Sequence, residues 1–286
     1  MSKEQIAELI SNIELAKLKP FRDHPFSIRD DDAMQQTVES VRAYGVLVPA
    51  IVRPLEDGSY ELISGHRRKH ACELAGLSTM PVIIRDIDRD AATIIMVDSN
   101  LQRENILPSE KAKAYKMKLE AIKRQGARHD LTSTQVAQKL SVEKVAEEAG
   151  TSKDQVRRYI RLNELQPELQ QMVDEGKIGM TPAVELSYLK PDEQKLLIDT
   201  IDSEQATPSL SQAQRMKKLS QDGKLNDDTM LGIMMEQKKP ENWNLSLPMD
   251  KIKKNFPRSY TPQRMEETII KLLESWMRKR QRDQQR

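Results

Sequence analysis

The sequence predicts an α+β protein with a small mixed α/β domain at residues 1–107, an all-helical domain at residues 108–200 and a helical extension at residues 201–286. Two observations support this prediction. β-Branched runs alternate with helical patterns over roughly residues 40–105, whereas almost no strand pattern follows Pro108. Hydrophobic residues make up 37% of the 286 residues and aromatic residues only 4%, which is typical of several small modules rather than one large core.

Charge and cysteine content narrow the function classes. The chain is nearly neutral because 46 basic residues oppose 44 acidic ones, so any nucleic acid-binding surface must be local. The single cysteine, Cys72, excludes an intrachain disulfide and a cysteine-based zinc site. Only His66 and His70 share helical spacing, and no acidic third ligand is evident beside them, which argues against a metal site there.

The start of the given sequence does not show the pattern of a targeting signal. The opening MSKEQIAELI is polar, and no run approaches the ~20 apolar residues that a membrane span needs. We therefore expect a cytoplasmic protein without membrane contact.

The N-terminal domain is predicted to consist of short strands and helices. Gly45 and Gly76 stand where helices should end, and Asp57-Gly58 is typical of a hairpin turn. In chain order, the predicted elements are an irregular lead-in (1–35), a helix (34–44), a hairpin (46–53 and 60–63), a helix (65–75), a strand (81–85) and a helix (91–101).

The helical domain contains the pattern of a helix-turn-helix at about residues 141–165. Ser141 is predicted to cap its first helix, and Gly150 stands where the chain must reverse. Ala146 is small where a second helix must approach closely, and Val156 faces it. A further helix is predicted from Ser109 to about residue 125, upstream of this motif.

The second helix of the motif has a basic outward face. Either Thr151 or Ser152 should cap it. Arginine and glutamine can read guanine and adenine edges, while lysine suits phosphates, and an ordinary helical hairpin with a solvated face is the alternative interpretation. The candidate DNA-binding residues are Thr151, Ser152, Lys153, Gln155, Arg157, Arg158 and Arg161.

A second motif places Gly65 between a strand end and the basic first turn of a helix, in Ile63-Ser64-Gly65-His66-Arg67-Arg68. The free N–H groups of a helix N-terminus and the arginine forks could hold a phosphate there. These residues could equally be the solvated surface of a short helix. Asn100, Gln102 and Arg103 could complete a nucleotide site, or could merely end a helix with polar caps.

Taken together, these segments resemble the ParB/RepB partition family. The resemblance covers about residues 15–190, and its motifs occur in the family's order: Gly45-Val-Leu-Val-Pro-Ala-Ile-Val-Arg53, Tyr60-Glu-Leu-Ile-Ser-Gly-His-Arg-Arg68, Pro81-Val-Ile-Ile-Arg85, Asn100-Leu-Gln-Arg-Glu-Asn105 and the helix-turn-helix. Residues after 200 match less well and resemble partition-like proteins carried on mobile elements of Gram-positive bacteria.

The resemblance implies a homodimeric, nucleoid-associated protein that binds a palindromic centromere-like site in double-stranded DNA, works with a ParA-type ATPase and closes on DNA as a clamp when it binds CTP with magnesium. By position, the resemblance implies that Gly65, Arg67 and Arg68 would hold the triphosphate. Asn100 would lie by the magnesium, and Gln102 and Arg103 would flank the nucleotide. The implied nucleotide-binding residues are Gly65, His66, Arg67, Arg68, Asn100, Gln102 and Arg103.

Two positions depart from the family pattern. Ser99 and His66 stand where the family usually has glutamate. A neutral hydroxyl is a poorer magnesium ligand than a carboxylate, so the resemblance implies at most a weak CTPase.

Parts of the sequence are also compatible with functions other than partition. A transcriptional regulator or replication-control protein could use the same helix-turn-helix. Sulfiredoxin-like enzymes share the small α/β fold, but they need a cysteine in the Gly-x-His-Arg loop, and Cys72 lies further along a helix. No residues support an ATP-using kinase.

The C-terminal extension ends in a helix that should begin at Thr261-Pro262. Its apolar face predicts either a dimer seam or packing onto the rest of the chain, and its basic end could hold DNA non-specifically. That face consists of Met265, Ile269, Leu272, Leu273 and Trp276.

Overall fold

The computed structural model describes residues 10–103, 105–129, 134–236, 254–257 and 260–284. The chain divides into two compact units, residues 1–236 and residues 237–286. The first unit contains both the sheet and the helix-turn-helix, and the second contains the terminal helix.

A five-stranded mixed sheet forms the N-terminal domain. Its strands are β1 (Ile10–Glu14), β2 (Leu18–Pro20), β3 (Ala50–Pro54), β4 (Tyr60–Ser64) and β5 (Thr79–Ile84), in the order β1-β5-β3-β4-β2. β3 pairs antiparallel with β4 and parallel with β5, so the predicted hairpin and the third strand are confirmed. The expectation of an irregular lead-in is wrong, since residues 10–14 and 18–20 form the two edge strands.

Three helices accompany the sheet: α1 (Asp32–Tyr44), α2 (His66–Ala75) and α3 (Arg89–Leu101). All three agree with the predicted helices to within two residues. Gly45 and Gly76 follow α1 and α2 with φ of 71° and 77°, which glycine adopts most easily. Met34 and Val38 of α1 pack with Ala71 of α2 on sheet residues such as Val52, which gives this domain its own core.

The helical domain follows without a strand in the part of the chain that the structure describes. Its helices are α4 (Pro108–His129), α5 (Thr134–Glu148), α6 (Lys153–Arg161), α7 (Pro167–Asp174), α8 (Met180–Leu186), α9 (Pro191–Glu204), α10 (Leu210–Gln221) and α11 (Asp227–Met235). One apolar cluster runs from Leu162 through Leu197 to Met234. The boundary drawn at residue 200 therefore falls inside α9, and the same core continues through α10 and α11.

The first helix of the helix-turn-helix is longer than the sequence suggested. Ser141 was expected to cap it, but α5 begins at Thr134 and Ser141 is buried in its interior. The residues between them include glutamine, alanine, lysine and leucine, which are good helix formers, so the helix extends past the serine towards the N-terminus.

The second unit contains α12 (Pro262–Gln284). The Thr261 hydroxyl accepts a hydrogen bond from the Arg264 N–H at 3.4 Å, which confirms the predicted cap. Leu272, Leu273 and Trp276 are exposed. The polar, proline-containing stretch at residues 237–242 predicts a linker from its sequence, and it lies outside the described residues. Among the helices that the structure describes, none combines the length and the apolar character needed to cross a membrane.

Candidate nucleotide and nucleic-acid sites

Gly65 forms a cradle at the junction of β4 and α2. Its φ is 108°, and a Cβ added there would lie 2.8 Å from the Ala50 Cβ and 3.3 Å from the Ala50 Cα. Only glycine fits this combination of positive φ and close approach by a neighbouring strand. The backbone at the start of α2 therefore lies close against β3.

The two arginines after Gly65 and His66 have different environments. Arg68 donates from Nη1 to the carbonyl oxygens of Val48 and, at 2.8 Å, Pro49. These hydrogen bonds fasten the loop before β3 to α2. Burial lowers the pKa of Arg68. Arg67 makes a looser contact with the Asp31 carboxylate, at 3.4 Å from Nη2. Arg67 is therefore the arginine of this pair that is freer to meet an anion.

His66 points into the domain. Its Nε2 accepts a hydrogen bond from the Phe21 N–H at 3.3 Å, and its ring lies 3.9 Å from the His24 ring. Burial, followed by the positive charges of His24 and Arg103, lowers the pKa of His66 to about 3. The imidazole is therefore neutral near pH 7 and orients the first turn of α2 without adding positive charge.

Asn100 sits buried near the end of α3. Its Nδ2 donates to the Met96 carbonyl at 2.7 Å, and its Oδ1 has no hydrogen-bond partner among the described residues. The Ser99 hydroxyl donates a hydrogen bond to the same carbonyl at 2.9 Å. A buried oxygen without a donor is costly, so Asn100 has one acceptor available for a ligand or a cation.

Arg103 lies in the same neighbourhood as Arg67. Partial burial and then the charge of Arg67 lower the pKa of Arg103, although its side chain remains in contact with solvent. Two guanidinium groups within electrostatic range of each other favour an anion between them. Gln102, the C-cap of α3, is exposed beside them.

Glu110 is a residue of this region that sequence reasoning did not assign to the site. One carboxylate oxygen accepts from the Ser27 N–H at 2.8 Å and from its hydroxyl at 2.6 Å, and the other accepts from the Leu107 N–H at 3.2 Å. Glu110 thereby ties the loop before α1 to the start of α4. The sequence indicates that Glu110 lies in the first turn of a helix. It does not indicate the contact with Ser27, because Ser27 lies 83 positions away.

These residues fit a nucleotide whose phosphates carry most of the magnesium coordination. The Gly65 cradle and the Arg67 and Arg103 guanidiniums suit phosphate oxygens. Asn100 Oδ1 offers one oxygen ligand, and no cluster of three or more His, Cys, Asp or Glu suited to a metal occurs in the described residues. Magnesium in nucleotide sites commonly relies on few protein ligands together with phosphates and water.

The helix-turn-helix has the predicted turn. Gly150 adopts φ of 61°, and the Thr151 N–H donates to the Ala146 carbonyl at 2.9 Å. Ser152, not Thr151, caps α6 by accepting from the Gln155 N–H at 3.1 Å. Val156 is fully buried against Val145 and Ala146 of α5, so the opposite side of α6 faces outward.

The basic residues of α6 fall into two groups. Lys153 and Arg157 are exposed, and the ion pairs described for them are with exposed acids, Glu143 at 2.6 Å and Asp154 at 3.3 Å. Such surface pairs are weak, so both cations are available to a polyanion. Gln155 is half-buried beside them.

The other two arginines are held by α8 and the residues after it. Arg158 donates from Nη2 to the Thr181 hydroxyl at 2.7 Å. Arg161 donates to the Ser187 hydroxyl at 3.1 Å and to its carbonyl at 2.7 Å, and its guanidinium lies 4.1 Å from the Tyr188 ring centroid. α8 thus orients one side of the basic face, which the sequence did not indicate.

Comparison with known proteins gives consistent matches along this part of the chain. Residues 1–101 match the family model described as the ParB N-terminal domain, and residues 104–222 match the ParB HTH domain. The stage 0 sporulation protein J of Bacillus subtilis is 35% identical over 60% of this chain and 55% of its own length, so the match spans only about half of that relative. The nucleoid occlusion protein of Halalkalibacterium halodurans is 31% identical over 75% of this chain and 70% of its own length.

The chain also has a likeness to solved structures. The C-terminally truncated chromosome-partitioning protein ParB of Caulobacter crescentus, complexed to the centromeric parS site, is 22% identical with a TM-score of 0.43. The likeness covers 73% of this chain and 98% of that one.

Proposed function

This chain belongs to the ParB family, and on that premise we propose that it is a DNA-binding partition protein that recognises a palindromic site through α6 and binds CTP with magnesium between α2 and α3. The observation that carries the proposal is the outward face of α6. Val156 is buried against α5, whereas Lys153 and Arg157 of the same helix are exposed, so α6 presents basic side chains to solvent as a recognition helix requires.

α6 can divide the work of recognition between its residues. Arg157 is long enough to bond a guanine edge with both nitrogens of its fork, and Lys153 near the helix start suits a phosphate. Arg158 would enter the groove already oriented by Thr181, which lowers the entropy lost on binding. Arg161 is engaged by Ser187 and would support the surface from its edge.

The N-terminal domain would hold the nucleotide with its own residues as follows. The Gly65 backbone and Arg67 would bind phosphate oxygens, Arg68 would keep the loop before β3 in position, and Arg103 would neutralise charge from the α3 side. Asn100 would supply an oxygen to the magnesium ion, and the exposed Gln102 would flank the nucleotide. Bound magnesium would offset phosphate charge. Because Ser99 replaces a carboxylate, we propose binding with weak hydrolysis at most.

A clamp would need two copies of the chain. The exposed Leu272, Leu273 and Trp276 of α12 provide an apolar face of the kind that joins helices in dimers. A homodimer with two copies of α6 would match a palindrome, because the two-fold symmetry of the protein mirrors that of its site. A ParA-type ATPase is the partner that we propose for such a dimer in segregation.

The DNA proposal is tested by selecting duplexes from a random library with the wild-type protein and measuring their affinity. We expect Arg157→Ala to weaken binding of the selected duplex about 10-fold, as for loss of a bidentate base contact. Lys153→Ala should weaken all duplexes alike and lower the salt slope by about 1. Lys195→Ala is the matched control, because Lys195 is exposed on α9. Unchanged affinity and salt slope in both α6 variants would contradict the proposal.

The nucleotide proposal is tested by calorimetric titration of CTP with magnesium, with and without the selected duplex. Arg67→Ala should abolish measurable binding, whereas Arg42→Ala, an exposed arginine of α1, should leave it unchanged. Absence of CTP binding under both conditions would leave the N-terminal domain without the proposed ligand.

A further inference from the structure

Lys118 of α4 is fully buried and holds carboxylates from two other helices. Its Nζ pairs with Asp98 of α3 and, at 2.7 Å, with Glu148 of α5. The lysine side chain has 0% exposure, whereas the two acids keep 42% and 37% of theirs. One ammonium group therefore joins three helices from the interior while its partners reach it from the surface.

A charge at this place needs an explanation. Removing an ammonium ion from water is costly, and an apolar side chain of the same volume would pack there at no such cost. A buried charge differs from an apolar side chain in one respect: it is satisfied only while its partners stay in position. Lys118 therefore makes the arrangement of α3, α4 and α5 specific, and it penalises any shift that withdraws one carboxylate.

The two carboxylates belong to residues that are close in sequence to the two proposed sites. Asp98 is two residues before Asn100, the candidate magnesium ligand on α3. Glu148 is two residues before Gly150, the turn of the helix-turn-helix. Lys118 thus connects the end of the nucleotide-binding helix with the end of the helix that supports α6.

A second ion pair joins α3 to α4 but does not involve the helix-turn-helix. Arg124 of α4 bonds the buried carboxylate of Asp90 at 2.8 Å, near the other end of α3. This pair joins α3 to α4 without reaching α5. The link to the helix-turn-helix is therefore particular to Lys118, within the ion pairs described for α3.

We propose that Lys118 is the positioning residue that couples nucleotide binding on α3 to DNA binding by α6. This inference rests on the proposed function. A ligand at Asn100 that moves the end of α3 displaces Asp98. The ion pair between Lys118 and Asp98 then changes, and the ion pair between Lys118 and Glu148 changes with it. Coupling of this kind is reciprocal, so DNA bound to α6 changes CTP affinity by the same factor.

The test compares Lys118→Met with Lys116→Met in the full-length protein. Met fills the lysine volume, and Lys116 is an exposed lysine of the same helix, so both variants lose one charge. The dissociation constant for the selected duplex is measured with and without CTP and magnesium, and that for CTP with and without the duplex. We expect the wild type and Lys116→Met to show a coupling factor of about 5 or more, and Lys118→Met a factor close to 1.

The two acids provide variants that keep the fold, because both are part-exposed and the substitutions preserve shape. Asp98→Asn and Glu148→Gln should each reduce the coupling factor as Lys118→Met does, and combining either with Lys118→Met should add nothing. Hydrogen exchange gives a readout that a purely structural role would not move. CTP should change amide protection in both α3 and α5 of the wild type, but only in α3 of Glu148→Gln.

The outcomes separate this inference from the proposed function. A coupling factor that stays at the wild-type value in Lys118→Met and in both acid variants would overturn the coupling role alone. So would a wild-type protein that binds both ligands with no mutual effect. A wild-type protein that binds neither CTP nor a selected duplex would overturn the proposed function, and the coupling role with it.

Discussion

The two candidate sites of this chain are built in opposite ways. The site at α2 and α3 draws its residues from the loop before α1, the loop before β3, the start of α2 and the end of α3. It relies on a glycine with positive φ, a neutral buried histidine and an asparagine with an unused oxygen. The site on α6 comes from one nine-residue helix, and its most accessible cations make only weak surface contacts.

Because of this difference, substitutions at the two sites should have different effects on the free energy of unfolding and on ligand affinity. Residues that shape the N-terminal site also hold the domain together, so changing them should cost folding free energy as well as ligand affinity. Residues on the outer side of α6 should affect DNA binding with little effect on folding. Variants at each site can therefore test whether folding and binding separate in this way.

The largest effect is expected for Gly65→Ala. The new Cβ would meet Ala50 at 2.8 Å in a backbone conformation that alanine rarely adopts, so we expect a loss of about 3 kcal/mol in the free energy of unfolding. Denaturant unfolding measures it. Gly76→Ala is the control, since its φ is also positive but nothing lies within 4 Å, and it should cost about 1 kcal/mol. Equal losses in the two variants would show that the cradle is not tightly packed.

The second effect is acid sensitivity from His66. Its pKa is about 3 in the folded protein and 6.5 ordinarily, so the unfolded chain binds the extra proton between these values. Stability is then complete above pH 6.5 and falls as the pH decreases, by about 2 kcal/mol at pH 5. We expect His66→Gln to lose this part of the pH dependence in unfolding series at pH 7 and pH 5. His70→Gln, a part-exposed position of the same helix, should keep it; identical slopes in both variants would refute the assignment.

The third prediction divides the arginines of α6. Arg161→Ala removes hydrogen bonds to Ser187 and the contact with Tyr188, and should lower the free energy of unfolding by about 1.5 kcal/mol. Arg157→Ala should change it by less than about 0.5 kcal/mol while weakening DNA binding. Thermal unfolding and duplex titration on the same samples measure both quantities. If Arg157→Ala were the more destabilising variant, the assignment of Arg161 to structural support and of Arg157 to DNA recognition would be wrong.

The smallest effect is expected at the cap of α6. Ser152→Ala removes the acceptor for the Gln155 N–H and should cost about 1 kcal/mol. Thr151→Ala should cost less, because the Thr151 backbone, not its side chain, makes the bond to Ala146. A larger loss at Thr151 in thermal unfolding would mean that the cap has been assigned to the wrong residue.

Local signals explain why parts of the fold were predictable. The hairpin, the glycine helix ends and the turn at Gly150 all depend on residues close together in sequence, and the structure contains each of them. The edge strands at residues 10–14 and 18–20 were missed because their pairing partners, β5 and β4, lie some forty to seventy positions away. The start of α5 was missed because a serine was taken as a cap where helix propensity carried the helix through it.

The candidate sites divide in the same way. The basic face of α6 follows from helical spacing, so its residues could be named from sequence. The inward turn of His66, the hold of α8 on Arg158 and Arg161, and the tie between Glu110 and Ser27 depend on contacts between distant segments. No periodicity contains that information.

The sequence by itself determined the mixed domain, the helix-turn-helix and the identity of the basic and glycine motifs, because turn chemistry and hydrophobic period act over a few residues. Only the tertiary structure decided which cations are free, which histidine is neutral and that Lys118 is buried between Asp98 and Glu148. The physical reason is that burial and electrostatic environment belong to the packed chain, since they depend on which distant segments exclude water from a side chain.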